Sequence, residues 1–112
     1  MSNINNLTLG EIKELITLFQ GKDENTKTHY KIGEKYFIRT VTMYHVGELK
    51  SITSSELLLT KASWVCDAGR MYDTLKTGNF NELEPFLDDV IVNRDSIIDA
   101  TIWRHDLPTE QK

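Results

Sequence analysis

Residues 90–100 read VIVNRDSIIDA. Val90, Ile91 and Val92 form a short apolar, β-branched run. Asn93, Arg94 and Asp95 interrupt it, and Ile97 and Ile98 open a second run that ends near Trp103. Two short strands over 90–104, joined by a tight polar corner, fit this pattern. Asn93 and Arg94 are good hydrogen-bonding side chains. They either make the turn or line a pocket beside it, and the residues alone support both readings.

Upstream of the corner the chain reads as three more strands. YFIRTVTMYHV (36–46) is rich in aromatic and β-branched residues and predicts a long strand. Gly47 marks a bend, ELKSI a second strand, TSSE a turn and LLLTKASWV a third strand. Together they predict an antiparallel meander over 35–65. Two helices flank it. LTLGEIKELITLFQG carries Thr8 and Glu11 as a capping box, with Ile12, Leu15, Ile16 and Phe19 at helical spacing, which predicts a helix over 8–20. Its apolar stripe either packs on the domain or binds a partner. DAGRMYDTLKTG predicts a short inserted helix over 67–78, with Asp67 as N-cap and Gly78 at its end. NFNELEPFLDD reads as irregular and acidic, with Asp88 and Asp89 in a solvated turn, and HDLPTEQK as a frayed polar tail. The predicted fold is mainly β with α: one domain over 1–112, five short strands closing into a small antiparallel barrel that leaves no exposed edge.

Bulk properties narrow the function. The chain has 112 residues and a net charge of −4. The charge is uneven: Trp64 to Asp99 holds Arg70, Lys76 and Arg94 against eight acids. No basic stripe of the kind that neutralises phosphates runs along it, which counts against DNA or long RNA as partner. A small ligand with two or three phosphates held by a few arginines fits. No run of 18 apolar residues predicts a membrane span, and the N-terminal MSNINNLTLG lacks the layout of a signal peptide. Cys66 is the only cysteine, so a reducing cytoplasm is the expected setting.

Two resemblances add to this. The order of helix, three-stranded meander, insertion and two-strand corner is similar to the Sm-like fold. GELKSITSSELLL resembles its first motif, and VIVNRDSII resembles its closing motif, with Asp95 where a glycine is usual. That resemblance implies rings and a nucleotide pocket at Asn93 and Arg94. YFIRTVT, ASW, the Asp67-to-Arg70 segment, EPF and the closing Trp103-to-Pro108 segment resemble a family of small proteins of tailed phages and prophages, over most of 32–112. The family implies phage origin and no particular activity. By analogy, small oligomerising phage proteins include counter-defence factors that sequester cyclic nucleotide signals of bacterial immunity.

Catalysis finds little footing. His29, His45 and His105 fall in different predicted elements. No phosphate loop, zincin motif or nucleophile elbow is present. Asp67 beside Cys66 raises rather than lowers its thiol pKa, and no metal-ligand spacing occurs, so neither metal nor cofactor is expected. Binding has more candidates, each with a structural alternative. Arg39 lies mid-strand and either grips a phosphate or pairs with an acid at the surface. Trp64 and Arg70 bracket a helix start, where phosphate is attracted, or serve as a core residue and an ion-pair partner. Trp103 and Arg104 either stack on a base and fork to a phosphate or close the barrel with an exposed neighbour. Phe86 is a loop anchor or a stacking residue. With Asn93 and Arg94 these make the candidate site. The expected protein is a homo-oligomeric phage counter-defence factor that sequesters a small cyclic nucleotide without turnover. The alternatives are a protein–protein interaction or assembly factor and, disfavoured by charge, an Sm-like RNA binder.

Overall fold

The polar corner sits between two strands in the computed structural model, which describes residues 28–112. Among the described residues the elements are β1 (Lys35–Thr40), β2 (Tyr44–Ile52), β3 (Glu56–Asp67), α1 (Met71–Thr77), β4 (Glu82–Pro85) and β5 (Val90–Asn93). A 3-10 turn, Arg94–Ser96, then leads to β6 (Ile97–Ile102). The helix expected over 8–20 lies outside the described residues.

All strand pairs are antiparallel, in the order β4-β3-β2-β1-β6, with β5 also paired to β3. The 12 residues of β3 make this possible. β4 lies along Ser63–Asp67 and β5 along Glu56–Leu59 of the same edge. Between them Phe86 N–H donates to the Ala62 carbonyl at 2.9 Å, beside Lys61 in the left-handed region at φ 51°. The sheet is not closed into a barrel. Among the described residues β6 pairs only with β1, and its link to β5 is the 3-10 turn rather than a ladder.

Successive strand residues face opposite sides, and here both sides are buried. Tyr36, Ile38, Leu49, Leu57, Leu59 and Val92 form one core. Phe37, Val46, Val65, Phe80, Leu83 and Trp103 form the other, roofed by Met71 and Leu75 of α1 and by Leu107. The C-terminal segment is docked, not frayed. His105 Nε2 bonds the Leu75 carbonyl at 2.8 Å, Lys35 Nζ donates to the His105 carbonyl, and Lys112 exchanges two backbone hydrogen bonds with Leu83.

Three further expectations from the sequence are corrected. The run 36–46 is two strands, because the chain turns at Val41–Met43 and not at Gly47. Gly47 is inside β2, where an added Cβ would stand 2.8 Å from Ala62 Cβ. Asp67 ends β3 and accepts from Gly69 N–H at 2.8 Å; the α1 N-cap is Arg70, which makes no side-chain cap. The acidic stretch after α1 contains a strand, β4.

Candidate ligand-binding site

Thr40 builds the β1–β2 turn. Its N–H and Oγ1 both donate to the Met43 carbonyl, at 2.8 and 2.7 Å, and Oγ1 accepts from Met43 N–H at 3.0 Å. This closure by a side chain lets the turn run through Val41 and Thr42 without glycine. Val41 N–H donates to the Ser96 carbonyl at 2.9 Å, tying the turn to the β5–β6 corner. At that corner Asn93 Oδ1 accepts from Asp95 N–H at 3.0 Å, and Ser96 Oγ donates to the Asn93 carbonyl at 2.7 Å. Arg94 holds the corner to the β2–β3 turn, through its N–H to the Ser55 carbonyl (2.9 Å) and its guanidinium to the Thr53 carbonyl (2.7 Å).

Two hollows flank the β1–β2 turn. One, of about 260 Å³, is lined by Thr40, Thr42, Met43, His45, Asn93 and Ser96, with Ile91 and Val92. The other, of about 380 Å³, is lined by Arg39, Val41, Met43, Tyr44, Trp64 and Ile98, among others, and shares Thr40 and Thr42 with the first. Small-ligand sites occupy about 300–1,000 Å³, so the first hollow by itself suits only part of a ligand and the second lies near the lower end of that range.

The two hollows differ in chemistry. The first presents hydroxyls, an amide and an imidazole, with no charged side chain in its lining. His45 is 7% exposed, its Nδ1 has no hydrogen-bond partner among the described residues, and its ring stacks on Phe86 at 5.9 Å and 14°. Burial holds the imidazole below its ordinary pKa and therefore neutral at pH 7. The second hollow is lined by Arg39 and Tyr44, cross-strand partners on one face of the sheet, and by Trp64, which the register places on the other face with His45. Trp64 is 40% exposed, and Arg39 forks onto Asp99, its direct neighbour across the β1–β6 ladder. The pair holds the Asp99 carboxyl below the usual carboxylate range.

The structure therefore gathers Asn93, Arg39 and Trp64 around one turn and brings Phe86 to it through His45. It does not gather the others. The Arg94 guanidinium turns toward Thr53 and lies 5.7 Å from the centre of the Tyr30 ring. Trp103 is a core residue rather than a stacking platform: it is 1% exposed, stacked on Phe80 at 4.9 Å, with Nε1 donating to the Asp106 carbonyl. Arg70 and Arg104 are exposed, at the start of α1 and beside Trp103. Neither lines either hollow. Sequence reasoning missed Thr40, Ser96 and above all His45. Its signal was a histidine between Tyr44 and Val46, mid-strand, where burial demands a partner.

Cys66 is partly buried, and burial, then Glu82 and Glu84, push its thiol pKa up, away from nucleophile chemistry. Among the described residues no group of three or more His, Cys, Asp or Glu is placed to hold a metal ion. No helix among them is long and apolar enough to cross a membrane. No family model and no curated protein matches the chain.

Proposed function

We propose that the protein is a phage counter-defence factor that binds and sequesters a small cyclic nucleotide, without turnover, around the β1–β2 turn. The observation that carries this reading is the turn shared by two hollows of complementary chemistry. A nucleotide combines a flat hydrogen-bonding base with an anionic phosphate. Trp64 on the His45 face and Tyr44 beside Arg39 offer aromatic faces to a base, and Arg39 a fork for phosphate. His45, Asn93 and the hydroxyls offer hydrogen bonds to an uncharged group. Among the described residues nothing bonded to His45 Nδ1 orients the ring as a general base, which favours binding over turnover. Phage origin rests on the resemblance of the strand and tail motifs.

The same reading takes the fold as an Sm-like one. The strand order and the 3-10 turn before the last strand support it, and among the described residues β5 and β6 each have a strand partner on one side only, an arrangement suited to edge-to-edge assembly into a homo-oligomer. The runner-up is a protein-binding or assembly role, favoured by the exposed apolar side chains Val41, Leu87, Ile91 and Ile98.

A thermal-shift screen against cyclic and linear nucleotides tests the proposal. A cyclic nucleotide at 100 times its dissociation constant stabilises the fold by about 2.7 kcal/mol, and chromatography of the denatured complex recovers it intact. Absence of any stabilising nucleotide sets the reading aside in favour of protein binding. Recovery of a cleaved product makes the protein an enzyme.

A further inference from the structure

We infer that Asp99 is the resident anion of the nucleotide site: its carboxylate occupies the Arg39 fork that a ligand phosphate takes over, and it screens out ligands that bring a phosphate alone. This rests on the proposed nucleotide binding and adds a selectivity residue to it. Arg39 and Asp99 are direct cross-strand partners, joined by two side-chain hydrogen bonds, Nε to Oδ1 at 2.8 Å and Nη2 to Oδ2. Two parallel N–H···O bonds are the geometry in which a guanidinium takes a carboxylate or a phosphate alike. The pair is open to solvent, with side chains 40% and 53% exposed, so an entering anion can reach it. Arg39 lines the hollow together with Tyr44, its cross-strand partner on the same face of the sheet, and Ile98. A ligand that displaces Asp99 while packing its base on the Tyr44 ring beside the fork makes good the lost contact. Free phosphate has no such second contact and competes against a carboxylate tethered in place. Asp99 thereby sets a threshold that only a ligand with both a base and a phosphate crosses.

Calorimetric titration of the full chain and its Asp99→Asn, Asp99→Ser and Arg39→Gln variants tests this, with cyclic AMP, cyclic di-AMP and inorganic phosphate as probes. Removing the competing charge from a fork of this kind is expected to tighten nucleotide binding about tenfold in both Asp99 variants. It is also expected to create phosphate binding that the natural chain lacks. Arg39→Gln is expected to abolish both. A natural chain that binds nucleotide while neither Asp99 variant binds more tightly overturns this inference and leaves the proposed function standing. No nucleotide binding in any form overturns both. Melting curves show whether each variant is folded, and two substitutions at Asp99 keep the test alive if one is not.

Discussion

Arg94 and His45 exchange the roles the bare sequence gives them. Arg94 is the more conspicuous residue, yet its guanidinium is spent on the Thr53 carbonyl and the Tyr30 face. Arg94→Ala is therefore expected to lower stability by about 0.5–1.5 kcal/mol, the worth of one hydrogen bond, and to leave nucleotide affinity unchanged. Urea unfolding and titration of the same variant check both halves; lost affinity with an intact fold returns Arg94 to the site. His45 carries a pH signature. Its folded pKa lies below the ordinary 6.5 because burial disfavours the charged ring. As pH falls through that value the unfolded chain takes a proton that the folded chain refuses, so stability falls with it. Asp99 and Asp89, held ionised by Arg39 and Lys50, lose their contribution only below the ordinary carboxylate value of 3.8. His45→Gln is expected to flatten stability between about pH 7 and 5 and to keep the lower limb. Unchanged slopes in urea titrations at those pH values contradict this account of His45.

The two tryptophans separate at the scale of elements. Trp64 is in β3, facing His45 across the ladder, and Trp103 follows β6 into the second core. Trp103→Ala is expected to cost about 3–5 kcal/mol, as for large aromatic truncations in cores. Trp64→Ala should cost far less stability and should abolish stacking of the base, a loss of about 1–3 kcal/mol in binding. Calorimetric melting and titration on the pair read this double dissociation directly. Neither role was legible from composition, because either residue closes a sheet equally well on paper. The corner at 93–96 was legible, since polar residues between two β-branched runs leave a turn as the simplest solution. The β1–β2 turn was not. A threonine side chain closes it, with no Gly, Pro or Asn to mark it, and Val41 and Met43 mimic strand residues while sitting exposed. β4 was hidden for the opposite reason: four residues, two of them glutamate and one proline, carry no strand pattern until β3 supplies the partner.

At the scale of the molecule, topology does what no motif does. Joining β5 to β6 by a 3-10 turn, while β6 crosses to β1, draws the turns at 41–43, 53–55 and 93–96 to one end of the sheet. That is where the proposed site lies, and its residues come from four separate stretches of sequence. The open edges of β5 and β6 lead to a second expectation: light scattering at micromolar concentration gives a multiple of 12.9 kDa, and a monomer alone contradicts edge-to-edge assembly. The placement of the ligand is tested by backbone amide chemical shifts of the full chain, titrated with the cyclic nucleotide that stabilises it best. The account expects shifts concentrated at residues 39–45, Trp64, Phe86 and 93–96, with α1 and the C-terminal segment silent. Shifts concentrated instead around Arg70, Trp103 and Arg104, or no shifts with any nucleotide, contradict it.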